Sequence, residues 1–202
     1  MKIQAVMMVY NSPTMDEALK SMALQSVYVS LMICDNGSRD AARLHTQSFQ
    51  DGVAAWGIRD LKVFDVPQKM EWEGLLRRLK NWEHMLARFA FEMQANPPDA
   101  VFILDSDVIM PPMSLGRLCT EMETDPKLGA IGVDYGEHVG HLRMGCTLYR
   151  YEAFKQLAEI GFSHLKGGGC LCRWMDKTLK DNGWVVRTLP GTRAEHRKEK
   201  KT

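Results

Sequence analysis

The sequence predicts an α/β fold with a mixed, mostly parallel sheet flanked by helices, and three observations predict it. Short apolar runs alternate with longer stretches of helical periodicity, in the order strand, helix, strand, strand, helix, strand. One run, Val101-Phe102-Ile103-Leu104, is apolar on both faces, which the centre of a parallel sheet requires. The chain has 202 residues, enough for one domain that buries roughly 70% of its unfolded surface without a disulfide or metal staple.

The elements follow in order. Ile3 to Tyr10 is a buried-strand run stopped by Asn11-Ser12-Pro13. A helix comes next, because proline suits a first helical turn and Thr14 and Glu17 have capping-box spacing. Its positions Met15, Ala18, Leu19, Met22 and Ala23 share one face. Val27 to Cys34 reads as the second strand, with Asp35-Asn36-Gly37-Ser38-Arg39-Asp40 as its exit turn, and Leu61 to Val66 as the third. The longest helix is expected from about Trp72 to Gln94, with Trp72, Leu75, Leu79, Trp82, Leu86, Phe89 and Met93 recurring in threes and fours and Asn96-Pro97-Pro98 stopping it. The apolar strand at 101–104 runs into Asp105-Ser106-Asp107. Further strands are expected at Ala130 to Val133, Thr147 to Arg150 and Trp184 to Leu189. Helices are expected at Leu115 to Thr124, Glu152 to Ile160 and Trp174 to Asn182, with Gly161 and Gly183 ending the last two.

Charge and cysteine usage narrow the function classes. The 26 Lys plus Arg and 25 Asp plus Glu nearly cancel, which argues against a disordered chain and against one that works by charge alone. The basic surplus is local: Arg193 to Thr202 carries net +3 and the remainder −2. The longest apolar run, Ala5 to Tyr10, is far below the roughly 18 residues of a membrane span, and Met1-Lys2-Ile3-Gln4 lacks the regions of a signal peptide. Five scattered cysteines match neither a disulfide framework nor a zinc quartet; Cys170 and Cys172 are the one close pair, two thiols without evident partners. The expectation is a cytoplasmic protein with reduced thiols, its fourteen methionines filling the core.

Parallel α/β sheets bind ligands outside the carboxyl ends of their strands. Asn11, Asp35 and Asp105 fall at three such ends and are expected to line one crevice. The order and spacing of Val6 to Asn11, of Leu31 through Asp35-Asn36-Gly37-Ser38-Arg39-Asp40, and of Val101 through Asp105-Ser106-Asp107 with Pro111 after it, resemble the GT-A-fold glycosyltransferases, specifically the large family-2-like group. Gly145 to Phe154, Gly161-Phe162, Gly183-Trp184 and His196 extend the likeness more loosely.

The resemblance implies a single GT-A catalytic domain over 1–202, with a nucleotide-sugar-binding half at 1–112, an acceptor half at 113–192 and a basic tail at 193–202. It implies a nucleotide-sugar donor, a UDP- or GDP-sugar, and a divalent cation, Mn²⁺ or Mg²⁺. Such a cation neutralises charge developing on the leaving diphosphate, and carboxylates on a short turn supply the hard oxygen ligands it needs. By resemblance Asp107 binds the metal, Asp105 contacts the ribose and supports the metal through water, and His196 completes the site. Ser106 lies between the two acids, Asp35 hydrogen-bonds the base, and Tyr10 and Asn11 shape the nucleotide pocket. On its own residues Asp35, before Asn36-Gly37, equally makes a simple Asx turn. His196 on its own residues is a solvated tail histidine, and the lysines and arginines around it pair with diphosphate, contact a polyanion or lie disordered.

The chain departs from the family where an acceptor base should stand, about eleven residues before Gly183. That position is Cys172, and no carboxylate occurs between Glu159 and Asp176. Asp176, Asp134 and Glu137 are the alternative bases; a retaining mechanism, in which the leaving phosphate takes the proton, needs none and is favoured. Gly167-Gly168-Gly169 reads as a loop hinge or a connector, and His138 and His141 as acceptor-loop residues on which nothing else converges. The acceptor itself is open among a glycan, a small molecule, a lipid head group and a modified nucleic-acid base. A nucleotidyltransferase, P-loop or dinucleotide-binding protein would show a Gly-rich loop after the first strand, absent from Val9-Tyr10-Asn11-Ser12. The alternative from another class is a non-catalytic nucleotide or nucleic-acid-binding module on a transferase core.

Overall fold

The structure, a computed structural model, describes residues 1–65, 74–135, 140–161 and 170–197, with backbone only at 59 and 74–81. The strands are β1 (Ile3–Val9), β2 (Val29–Asp35), β3 (Arg59–Asp65), β4 (Ala100–Leu104), β5 (Val108–Ile109), β6 (Leu128–Tyr135), β7 (Cys146–Arg150) and β8 (Val185–His196). The helices are α1 (Met15–Ala23), α2 (Ala41–Leu44), α3 (Gln47–Ala55), α4 (Gly74–Met93), α5 (Ser114–Thr124), α6 (Tyr151–Ile160) and α7 (Leu171–Asp181). The strands form one mixed sheet in the order β3-β2-β1-β4-β7-β6-β8-β5. Pairings among β1 to β4 are parallel, as is β6 with β8, while β7 runs antiparallel to both its neighbours.

Alternation along the strands divides the core into two layers. In β4, Ala100, Phe102 and Leu104 pack with Met15, Leu19, Met22, Leu115, Leu118 and Met122 of α1 and α5. Val101 and Ile103 face the other layer, with Leu86, Phe89 and Met93 of α4, Phe154 and Leu157 of α6 and Leu179 of α7. Both faces of β4 are therefore buried, as its unbroken apolar run requires. The methionines fill core gaps as expected: Met7, Met22, Met85, Met93 and Met122 are all buried. All five cysteines are free. Among the described residues no helix is long and apolar enough to cross a membrane.

Several local expectations change. The short helices α2 and α3 and the two-residue strand β5 were not legible; α3 is started by Thr46, whose hydroxyl accepts from the Phe49 N–H at 3.2 Å. The capping box at Thr14 does not form, because the Thr14 hydroxyl donates instead to the Ser106 carbonyl at 3.1 Å. The helix expected at Trp174 starts at Leu171, one turn earlier. The largest difference is at the end of the chain. The strand expected to stop at Leu189 continues through His196, so Arg193 to His196 belong to the sheet and not to a tail. Gly191, at φ 66°, supplies a left-handed turn of backbone that a side-chain-bearing residue rarely adopts, and the β6–β8 register shifts between Gly132 and Asp134. Beyond that shift β8 reaches β5. Trp72, Glu137, His138, the glycines 167–169 and Lys198 to Thr202 lie outside the described residues.

Candidate functional site

The strand order reverses at β1, which lies between β2 and β4, and such a switch point opens a crevice at the carboxyl ends of the strands. The turn after β4 occupies it. The Asp105 N–H donates to the Gly145 carbonyl at 2.8 Å, and the Val108 N–H closes the turn on the Asp105 carbonyl at 3.1 Å. Across the switch point, Ser12 and Thr14 hydroxyls both donate to the Ser106 carbonyl, at 3.0 and 3.1 Å. The end of β8 holds the fourth side: Val108 lies opposite His196, and the Arg197 N–H donates to the Asp107 carbonyl at 2.8 Å. These constraints bring Asp107 Oδ2 to 3.0 Å from His196 Nε2.

Asp105 is gripped from behind. Tyr135, the last residue of β6, donates its hydroxyl to Asp105 Oδ2 at 3.2 Å and accepts from the Gly145 N–H at 3.0 Å. Burial and then the negative charge of Asp107 push the Asp105 carboxyl up to about 7, against the lowering effect of the tyrosine hydrogen bond. The position of Gly145 is fixed by space: a Cβ there would overlap both the Asp105 carboxylate and the Tyr135 hydroxyl. The Tyr135 ring also meets the His196 imidazole edge-on, at 5.4 Å between centroids.

On the other side of the switch point, Asn11 has φ 45°, a left-handed conformation that Asn tolerates better than most residues. Its N–H donates to Ser38 Oγ at 2.9 Å, and its side-chain oxygen accepts from the Arg39 N–H at 2.7 Å, tying the loops after β1 and β2 together. Asp35 is only 1% exposed, and its carboxylate accepts from the Gly37 and Ser38 N–H groups at 3.1 and 3.0 Å. It forms the Asx turn that its sequence permits. Tyr10 is exposed at the rim. On the α4 side, next to the Asp35–Asp65 pair of the sheet, Cys34, His45, Asp65, His84 and Arg88 line a cleft of about 520 Å³.

Two of the alternative bases share a cleft. Asp134 and Asp176 line one cleft of about 210 Å³ with Arg143, Lys180 and Arg187. There Asp176 accepts from Lys180 Nζ at 2.8 Å and from the Leu142 N–H at 3.5 Å. Glu137 is outside the described residues. Cys172, at the place where the resemblance expects a carboxylate, is pushed up to about 12, chiefly by burial, so it is a neutral thiol near pH 7. The expectation that nothing converges on His141 is overturned, since Cys170 Sγ lies 3.3 Å from His141 Nε2 with Cys172 beside them. Of the ten residues singled out from the sequence, Asp105, Ser106, Asp107 and His196 come together, with Asn11 beside Asp35 in the adjoining loops. Sequence reasoning missed Tyr135, Ser12 and Thr14. Gly145 was visible as part of a resembling segment, but the reason for a glycine there is a long-range overlap.

The Asp107–His196 pair fits a divalent cation. Two acceptor atoms 3.0 Å apart need a proton or a cation between them. Adjacent ligands of an octahedral ion with bonds of about 2.1 Å stand about 3.0 Å apart. One carboxylate oxygen with one imidazole nitrogen suits Mn²⁺. Asp107 is 38% exposed and His196 18%, so the pair is open on one side to a ligand and its water. His196 Nδ1 is buried and without a hydrogen-bond partner among the described residues, which leaves Nε2 as the nitrogen engaged with the carboxylate.

No protein-family model and no curated protein matches the sequence. The structure is similar to that of the mannosyltransferase PcManGT from Pyrobaculum calidifontis in complex with GDP-Man and Mn²⁺, with a TM-score of 0.70 and 15% identity over 99% of this chain. The chain spans 58% of the length of that protein. The chain thus shares with that mannosyltransferase a Rossmann-like fold, a mixed, mostly parallel sheet flanked by helices.

Proposed function

We propose that the chain is a metal-dependent glycosyltransferase that moves a sugar from a nucleotide-diphosphate sugar to an acceptor, with Mn²⁺ or Mg²⁺ as cofactor. The observation that carries this reading is the 3.0 Å approach of Asp107 Oδ2 to His196 Nε2 at the switch point of the sheet. The similar fold, solved elsewhere with GDP-Man and Mn²⁺, makes GDP-mannose the first donor to test and a UDP-sugar the second.

In this reading Asp107 and His196 hold the cation and Asp105 supports it through water and contacts the ribose. The cation neutralises charge on the leaving diphosphate. The chain's own residues do the positioning. Tyr135 and Gly145 fix Asp105, and Ser12 and Thr14 fix the Ser106 carbonyl between the two acids. Asp35 sets the loop against which the base lies, while Tyr10 and Asn11 form its rim. Retention is the favoured stereochemistry. The neutral Cys172 is no proton acceptor, and Asp176 is already engaged by Lys180. The donor half is assigned to 1–112 and the acceptor half to 113–192, with the Asp134–Asp176 cleft on the acceptor side.

The test is a donor panel with purified protein and Mn²⁺, reading sugar release and product anomer by NMR. An α-linked product from an α-linked donor supports retention. Failure of GDP and UDP to bind with Mn²⁺ present sinks the reading and leaves a non-catalytic nucleic-acid-binding module, which salt-sensitive binding to DNA or RNA would support.

A further inference from the structure

Beside the carboxylate site lies a second cluster with a different chemistry. His141 follows β6 on the loop that leads to Met144 and Gly145, while Cys170 and Cys172 occupy the cap and second position of α7. One ligand atom from each of the three lies within 4.8 Å of the others, and Cys170 Sγ is 3.3 Å from His141 Nε2. Cys170 is exposed, and His141 and Cys172 are partly buried, so the cluster is backed by protein and open to solvent on one side.

Burial keeps the Cys172 thiol protonated in the metal-free chain, and two features would support sulfur once an ion is bound. Both cysteines lie at the start of α7, Cys170 at the cap and Cys172 in the first turn, near the positive end of the helix dipole. The Met144 N–H also donates to the Cys172 sulfur, the kind of outer hydrogen bond that supports a metal-bound thiolate. The dimensions agree as well. With Zn–S bonds of about 2.3 Å and Zn–N of about 2.0 Å, a tetrahedral ion separates two sulfurs by about 3.8 Å and sulfur from nitrogen by about 3.5 Å. A triad already within 4.8 Å closes on such an ion by side-chain adjustment alone.

We propose that His141, Cys170 and Cys172 form a Zn²⁺ site, with two thiolates and one imidazole as protein ligands and a fourth position open to solvent. Binding releases one proton from each thiol, and the two thiolates balance the charge of the ion. Soft sulfur ligands separate this site from the oxygen and nitrogen donors of Asp107 and His196, so the two prefer different metals. The ion would tie the loop bearing Met144 and Gly145, which contacts Asp105, to the start of α7. The proposal does not depend on a glycosyltransferase activity.

The experiment uses the full chain, reduced and freed of metal. One equivalent of Co²⁺ is expected to give a near-ultraviolet sulfur-to-cobalt charge-transfer band with strong visible bands of a tetrahedral ion. Both are expected to persist in Asp107→Ala and to vanish in the Cys170→Ser, Cys172→Ser double variant. Zinc analysis after dialysis should find about one ion per wild-type chain and under about a tenth of that in the double variant. Zn²⁺ should also protect exposed Cys170 of the wild type from alkylation, a readout that needs no variant. Absence of the sulfur band in wild type, or unchanged alkylation with Zn²⁺ present, overturns the proposal. Failure of nucleotide binding with Mn²⁺ leaves it intact.

Discussion

The Asp107 carboxylate and the His196 imidazole meet at 3.0 Å although 89 residues separate them in sequence. The contact exists because β8 resumes its pairing with β6 beyond the register shift, at Arg193 and Ala194, and ends beside β5, where Val108 lies opposite His196. If the pair holds Mn²⁺, then GDP or UDP with Mn²⁺ at about a hundredfold over its dissociation constant should stabilise the fold by about 2.7 kcal/mol. That corresponds to a rise in Tm of about 5–10 °C for a chain of this size. Asp107→Ala and His196→Ala should each abolish the rise. A thermal melt that still responds in either variant would place the metal elsewhere.

Gly145 carries a prediction of space. Its missing Cβ is where the Asp105 carboxylate and Tyr135 hydroxyl meet. Gly145→Ala should cost about 1–3 kcal/mol by overpacking and displace Asp105, weakening the Mn²⁺ response along with it. Urea unfolding and the Mn²⁺-dependent melt read the two effects separately. A variant with wild-type stability and full response would show that the close approach has no consequence.

Asp105 predicts a pH dependence of the metal-free protein. Burial first, and the charge of Asp107 second, raise its folded-state pKa from 3.8 to about 7. The folded chain thus holds this proton more tightly than the unfolded chain does. The stabilisation is full below about pH 4 and is lost as pH rises through about 7. Relative to Asp105→Asn, wild type should therefore lose on the order of 4 kcal/mol between about pH 4 and 8. Denaturant midpoints for both proteins across that range decide it. Parallel profiles would mean Asp105 ionises as it does in water.

The hydroxyls of Ser12 and Thr14 converge on one carbonyl, that of Ser106. Removing either leaves the other in place, so Ser12→Ala or Thr14→Ala alone should cost roughly 0.5–1.5 kcal/mol. The double variant should cost more than the sum of the two, because the carbonyl then has neither donor. A double-mutant cycle by urea denaturation measures the coupling; strict additivity would show that the two bonds act independently.

Much of the fold was written in local patterns. The unbroken apolar run at 101–104 needed burial on both faces, and only a sheet covered on both sides provides it. Amphipathic spacing in α1, and in α4 from Trp82 to Met93, placed the apolar faces correctly, because a helix buries whichever stripe is apolar. Asp105-Ser106-Asp107 was legible as a turn at a strand end, and the loops at Asn11 and Asp35 as its neighbours at the same edge of the sheet. β5 was not legible, since two residues carry no periodicity of their own. The capping box at Thr14 failed for a related reason: a hydroxyl that suits its own helix locally finds the Ser106 carbonyl once β1 and β4 are adjacent.

The opposite end of the chain shows what tertiary structure alone decided. Arg193 to His196 open the segment 193–202, whose net charge of +3 is typical of a solvated tail. They are ordered because β6 and β5 offer them unpaired backbone, a property of the assembled sheet that no local pattern encodes. The same is true of Tyr135 and Gly145 around Asp105, and of His141 with Cys170 and Cys172. By itself the sequence determined which residues could do chemistry and at which ends of the strands they would lie. Tertiary structure decided which of them meet, because the distances that matter there are set by strand order and register and not by spacing along the chain.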